Sequence, residues 1–280
     1  MARHPQVLIT GAGGQVGTAL RPLLPDARFA SRADVDVTDV ARLRDVARGS
    51  DVIVHLAANT HVDWCEQHAD EARLVNSDGT RNVVDTARAI GARVIYVSTD
   101  FVFDGNREGE YLEADETHPL NVYGATKLEG EGHLDPQHGD LTVRSSWIFG
   151  VGHNFVRTIL QLAKDGPLRV LDDQRGRPTA ASELAAALVF LIEKEVPGTI
   201  HVAGEGEPAT WADLAEAALH EAKLDVSITR IDTATYAAEA KRPIAPRPRN
   251  SALALDKARG LHVPLLDWRS SVANYVEANT

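Results

Sequence analysis

The sequence predicts an α/β fold: a doubly wound parallel-sheet domain of the Rossmann type with a smaller mixed α/β substrate lobe. Three observations predict it. Short apolar runs alternate with helical patterns through the first half of the chain. Several of those runs lack polar alternation, as strands covered on both faces of a parallel sheet do. A glycine-rich turn follows the first run directly and opens a helical segment.

The elements follow in chain order. Gln6-Val7-Leu8-Ile9-Thr10 gives a strand over 7–10, and a helix is expected over 15–24. Strands over 28–30 and 52–56 enclose a helix over 40–47. A helical pattern from 71 through 76 to about 90 leads to a strand over 93–98. A helix over 123–133 precedes a strand over 141–145. Strand–helix–strand repetition of this kind builds a sheet with right-handed crossovers. From about residue 151 the pattern is less regular, with helices expected over 155–163, 182–193, 211–222 and 268–278. Arg242-Pro243-Ile244-Ala245-Pro246-Arg247-Pro248-Arg249 interrupts them. The expected division is a dinucleotide-binding domain over 1–150 and a substrate lobe mainly over 151–280. Segments of about 168–202 are expected to return to the first domain.

Composition narrows the function. A formal charge of −11 on 280 residues repels phosphate backbones, so no nucleic-acid partner is expected. No apolar run reaches the roughly 18–20 residues that span a bilayer, so no membrane partner is expected either. One cysteine, Cys65, permits no intrachain disulfide, and no signal-peptide pattern opens the chain. Both point to the reducing cytoplasm. The histidines are scattered without ligand spacing, so no metal is expected.

Thr10-Gly11-Ala12-Gly13-Gly14-Gln15-Val16-Gly17 is the expected pyrophosphate cradle. Gly11 and Gly14 let the backbone approach a phosphate, Gly17 lets the helix pack on the sheet, and Gln15 and Val16 open that helix. The second strand ends near Ser31-Arg32, where an NAD site often carries an acidic ribose ligand. Arg32 suits a 2′-phosphate and so favours NADPH, with NADH possible; it also reads as a solvated loop charge. Asp34 and Asp36 follow closely and leave the register open. Asp36 and Val37 join the candidate cofactor residues. So do Ala57, Ala58 and Thr60 beyond the third strand, where small side chains leave room for a nucleotide.

Thr99 stands at the carboxyl end of the next strand, and Tyr123 and Lys127 lie four apart on one helix face. A free phenol has a pKa near 10, and a neighbouring ammonium lowers it. Tyr123 then protonates a carbonyl oxygen as hydride reaches its carbon, Thr99 orients that oxygen, and Lys127 also bonds the nicotinamide ribose. Glycine loop, strand-end Thr and Tyr-x-x-x-Lys occur in the order this chemistry requires.

These residues resemble the extended short-chain dehydrogenase/reductase family. The matching strings include Ala57-Ala58-Asn59-Thr60-His61-Val62-Asp63, Ser98-Thr99-Asp100-Phe101-Val102-Phe103-Asp104-Gly105 and Arg144-Ser145-Ser146-Trp147-Ile148-Phe149-Gly150. Asp173-Gln174-Arg175-Gly176-Arg177-Pro178-Thr179 and Arg247-Pro248-Arg249-Asn250-Ser251-Ala252-Leu253 extend the match over nearly the whole chain. Within the family they are similar to enzymes that reduce the 4-keto group of a dTDP-linked 6-deoxyhexose, giving dTDP-L-rhamnose or a close relative. The resemblance implies a nucleotide-sugar substrate. It places Val62, Asp100, Phe101 and Trp147 at the sugar and Asn76 on the cofactor side. A diphosphate on so acidic a protein needs local cations: Arg175 and Arg177 in one loop and Arg247 and Arg249 flanking Pro248 are weighed, each also readable as a surface loop arginine, and Arg177 and Arg249 are the candidates chosen.

Two departures from the family pattern count. Ala19 stands where some members carry a Glu at a metal-linked dimer interface, so a homodimer is possible but a metal is not expected. Phe101 stands where relatives commonly have Tyr, which removes a hydroxyl from the sugar site. An epimerase or dehydratase of the same fold, or a regulatory subunit that kept it, stays open: Asp100 sits where a dehydratase places an acid/base carboxylate.

Overall fold

The computed structural model describes residues 5–240 and 242–279. The parallel sheet contains β1 (Val7–Thr10), β2 (Arg28–Ala30), β3 (Val52–His55), β4 (Arg93–Thr99), β5 (Leu141–Ser145) and β6 (Gly198–His201). Their order is β6-β5-β4-β3-β1-β2. The chain winds outward from β1 in both directions, so a crevice opens between β1 and β3 beyond the strands' carboxyl ends.

Both faces of the sheet are covered, which is why its strands read as unbroken apolar runs. Val7 and Ile9 of β1 face one way, with Val54, Ile95, Leu141 and Ile200. They meet Val16 and Leu20 of α1 (Gln15–Leu20), and Leu184, Leu188 and Leu191 of α6 (Ala181–Lys194). Leu8, Ile53, Val94 and Tyr96 face the other way. Against them lie Leu43 and Ala47 of α2 (Val40–Ala47), and Val83, Val84 and Ala87 of α3 (Gly79–Ile90). Between α3 and α6 in the chain come α4 (Val122–Glu131), which carries Tyr123 and Lys127, and α5 (Phe155–Leu162). Asn121 caps α4: its Oδ1 accepts from Gly124 N at 2.8 Å.

The lobe gathers α5, α7 (Trp211–Glu221) and α8 (Trp268–Asn279) around Phe149, Val156, Leu214, Trp268 and Val272. Thr210 and Asp213 form a reciprocal capping box at the start of α7.

Several elements differ from the sequence expectation. The first helix stops at Leu20, because Pro22 has no N–H to continue the ladder. The helix expected from 71 to 90 contains a π-helical turn, Leu74–Asp78, before α3 begins. The return to the sheet domain begins with α6 and β6. Leu168–Leu171, expected to return as well, pairs instead with Ile228–Ile231 in the lobe. Among the described residues no helix is long and apolar enough to cross a membrane.

Candidate active site

A cleft of 710 Å³ lies beyond the carboxyl ends of β1, β3 and β4. Gly11, Gly14, Gln15, Val16 and Gly17 line one end, with Arg32, Asp36, Val37, Ala57, Ala58 and Thr60. Val62, Thr99, Asp100, Phe101, Tyr123, Lys127 and Trp147 line the other.

The glycine end is a cradle that side chains would fill. Gly11 has φ +70, and a Cβ there would stand 2.5 Å from Ala57 N. A Cβ on Gly17 would stand 2.6 Å from Ala12 Cα, so only glycine lets α1 lie this close to the loop. Two buried polar atoms of cleft-lining residues, Gln15 Oε1 and Ser145 Oγ, have no partner among the described residues. The acidic residues near Arg32 are already engaged. Asp34 Oδ2 accepts from Ser31 N at 2.8 Å and from Ser31 Oγ at 2.6 Å. Asp36 Oδ1 accepts from Thr38 N at 3.0 Å and Thr38 Oγ1 at 2.8 Å. Arg32 is 83% exposed and only loosely paired with Asp36 at 3.6 Å, which leaves its guanidinium available to a phosphate. Donor set and cradle fit a dinucleotide with a 2′-phosphate.

At the catalytic end, Thr99 Oγ1 donates to Asp100 Oδ1 at 3.0 Å and accepts from Phe101 N at 3.2 Å. Asp100 is buried, and its Oδ2 accepts from the Ser251 hydroxyl. Burial raises this carboxyl to about 7, against the opposing bonds from Ser251 and Thr99. The Phe101 ring meets Tyr123 edge-on, with centroids 6.0 Å apart.

Tyr123 and Lys127 differ from the sequence expectation in one respect. Lys127 Nζ donates to Val97 O at 2.8 Å and lies 4.0 Å from the centre of the Tyr96 ring. Burial pushes it down to about 7, with Glu131 acting the other way. Burial also raises the Tyr123 phenol above its ordinary value, and the Thr99 hydroxyl only partly offsets that. The phenol is therefore protonated at neutral pH rather than activated by the ammonium.

Three candidates fall outside the cleft lining. Asn76 is fully buried in the π-helical turn. Its Oδ1 accepts from Asn59 N at 2.7 Å, and its Nδ2 donates to Asn59 O and Thr126 Oγ1, each at 3.1 Å. It fixes the loop after β3 against α4 instead of facing a cofactor. Arg177 is 2% exposed. Its Nε donates to Leu253 O at 2.8 Å, its Nη1 to Gly204 O at 3.0 Å and to Gly206 O, and its Nη2 to Glu110. A guanidinium so committed is not free to hold a diphosphate. Arg249 is exposed, and its backbone O accepts from Arg175 N at 2.8 Å, beside the cleft rather than in it.

Sequence reasoning missed Trp211, Ser145 and Ser146, and it named Arg247 only together with Arg249 as a flank of Pro248; all but Arg249 line the cleft. Trp211 stacks on Trp147 with centroids 3.7 Å apart and planes at 4°. Trp147 itself has φ 47, and a Cβ on Gly176 would stand 2.5 Å from its Cε2. Trp147 is thus held at the cleft wall by its stack on Trp211 and its packing against Gly176. Among the described residues no three His, Cys, Asp or Glu side chains gather as a metal site.

Comparison with known proteins matches this architecture. Residues 5–280 fit the family model described as the RmlD substrate binding domain. A dTDP-4-dehydrorhamnose reductase from Aggregatibacter actinomycetemcomitans is 36% identical, over 96% of this chain and 97% of that protein. The crystal structure of a dTDP-4-dehydrorhamnose reductase from Clostridium acetobutylicum superposes with a TM-score of 0.91 at 32% identity, covering 98% of this chain and 99% of the other. One from Bacillus anthracis, in complex with NADP, superposes with a TM-score of 0.90 at 31% identity, covering 99% and 100%.

Proposed function

The chain belongs to the RmlD substrate-binding-domain family, and from that premise we propose that it is an NADP(H)-dependent oxidoreductase reducing the 4-keto group of a dTDP-linked 6-deoxyhexose, dTDP-4-dehydro-L-rhamnose to dTDP-L-rhamnose. The observation that carries the reading is the single cleft: it joins a glycine cradle beside Arg32 to Thr99, Tyr123 and Lys127. NADPH held at that cradle supplies the hydride. Gly11, Gly14, Gln15, Val16 and Gly17 would meet its pyrophosphate, and Arg32 its 2′-phosphate.

Tyr123 holds a proton on Oη and delivers it to the carbonyl oxygen, a role that burial supports by keeping the phenol neutral before the reaction. Thr99 Oγ1, whose proton goes to Asp100 Oδ1 in the resting site, turns it to that oxygen and orients it. Lys127, one turn from Tyr123 on α4, adds positive charge when it is protonated and the phenolate forms. Val62, Phe101 and Trp147 supply apolar contact suited to a deoxysugar. Asp100, hydrogen-bonded to Thr99, accepts from a sugar hydroxyl when ionised. The single cysteine is buried and unpaired, which supports a cytoplasmic setting.

One observation favours a second reading. Asp100, with its carboxyl near neutrality and against Thr99, is also a competent acid/base group for a dehydratase. The test is NADPH oxidation with dTDP-4-keto-L-rhamnose, followed by identification of the product. A reductase consumes NADPH in proportion to product. Purified protein that retains NAD⁺ and leaves NADPH unoxidised supports the dehydratase and overturns the reductase. No turnover by either route leaves a binding subunit and overturns both.

A further inference from the structure

We propose that Glu131 is a positioning residue for the reduction: locked by Ser98 and Arg144, its carboxylate stands one turn from Lys127 and keeps that lysine charged as the Tyr123 phenolate forms. This rests on the reaction proposed above. Lys127 and Glu131 lie four apart on α4, so they share one face of it. They dock on consecutive residues of β4. Lys127 Nζ donates to Val97 O at 2.8 Å, and Ser98 Oγ donates to Glu131 Oε1 at 2.5 Å. Ser98 pairs in register with Arg144 of β5, which brings the guanidinium to the same carboxylate. Arg144 Nε donates to Oε1 at 3.0 Å, and its Nη2 donates to Oε2 at 2.7 Å. Both carboxylate oxygens are therefore fixed by two strands of the sheet.

Stability of the fold does not call for a carboxylate here. Glu131 closes α4, the end at which the helix dipole is negative. The Arg144 and Glu131 side chains are 6% and 9% exposed, and a buried ion pair contributes little beyond an apolar pair of the same volume. Glu131 lines a separate cavity of 460 Å³ rather than the active cleft. It acts through the residues it faces, not on the substrate.

Lys127 is buried, which works against its charge. The groups around it come from four elements: His55 of β3, Tyr96 of β4, Tyr123 and Glu131 of α4, and Arg144 of β5, bonded to Glu131. Burial pushes the His55 imidazole down to about 3 and both phenols above their ordinary value, so these three are neutral at neutral pH. Arg144 is a cation. Among these groups Glu131 is the one anion, and it is the charge that opposes the effect of burial on Lys127. Without it, a desolvated ammonium would face only neutral groups and a second cation.

The experiment titrates Lys127 by NMR, with lysine ¹³C-labelled at Cε and no substrate present, in the unmutated chain and in Glu131→Gln. The Lys127 signal is the one lost in Lys127→Met. Glutamine keeps the shape of the side chain and removes its charge. The midpoint is expected near 7 in the unmutated chain, and lower by about one pH unit in Glu131→Gln. Turnover should follow the charged fraction. With the midpoint moved from about 7 to about 6, kcat falls about twofold at pH 6 and about ninefold at pH 8. A carboxylate that only braces the helix leaves the midpoint where it was, or lowers kcat by the same factor at both pH values; either result overturns the proposal. Should Glu131→Gln not fold, the double variant Glu131→Gln/Arg144→Met removes the ion pair whole. A midpoint below that of the unmutated chain then supports the proposal, and an unchanged one overturns it. Turnover of the dTDP-keto sugar by the unmutated chain separates the two claims. If it is absent, the reaction fails; if it is present while the midpoint does not move, only the role of Glu131 fails.

Discussion

Asp100→Asn is expected to stabilise the protein near pH 8 and to lose most of that advantage in acid. The magnitude follows from the site. Asp100 is 2% exposed, and burial raises its carboxyl from 3.8 to about 7 despite the bonds from Ser251 and Thr99. The folded chain therefore binds this proton more tightly than the unfolded chain. The stability tied to that proton is fully present below about pH 4 and is lost as pH rises through about 7. At about 1.36 kcal/mol per pKa unit, the whole loss is about 4 kcal/mol, of which about 3 kcal/mol falls between pH 5 and pH 8. Asparagine is neutral throughout. Its oxygen can accept from Thr99 Oγ1 as Asp100 Oδ1 does, and its amide can donate to the Ser251 hydroxyl. Urea unfolding of both proteins at the two pH values gives the assay. The stability gap in favour of asparagine should widen by about 3 kcal/mol from the lower to the higher pH. A gap that does not change with pH, or an asparagine variant weaker near pH 8, refutes the claim that burial governs this carboxyl.

Tyr123→Phe keeps the ring against Phe101 and removes the proton donor; turnover should fall by about two orders of magnitude or more with NADPH affinity kept, and near-normal turnover would remove Tyr123 from the chemistry. Arg177→Met leaves Glu110 and the carbonyls of Leu253, Gly204 and Gly206 without their donor; it should cost about 3–5 kcal/mol in urea unfolding while the surviving enzyme keeps its KM, and a raised KM at unchanged stability would return Arg177 to the substrate.

What the sequence revealed was local in origin. The strands of the first half declare themselves because successive residues are apolar on both faces, as Leu8 and Ile9 are toward two different cores. The glycine turn and Tyr123–Lys127 declare themselves because one turn or one helix face sets their geometry. β6 did not, since Gly198-Thr199-Ile200-His201 is short and becomes a strand only through its pairing with Leu141–Ser145. The π-helical turn at Asn76 did not, since it depends on Asn59 and Thr126, which are far away in the chain.

The arginines show the limit most clearly. Arg177, Arg247 and Arg249 all lie next to proline in loops, and nothing in their neighbours distinguishes them. What does is which distant groups each one meets. Glu110 and three carbonyls draw Arg177 into the interior, Asp63 draws Arg247 to the cleft, and Arg249 meets solvent. The same logic governs Lys127. Four residues of helix place it beside Tyr123 in the chain, but Val97 O and the Tyr96 ring decide where its charge sits. With the ammonium held there, burial keeps Tyr123 protonated at rest. A phenol in that state is ready to give a proton and poorly placed to take one from an alcohol. That is the protonation state that the proposed reduction uses.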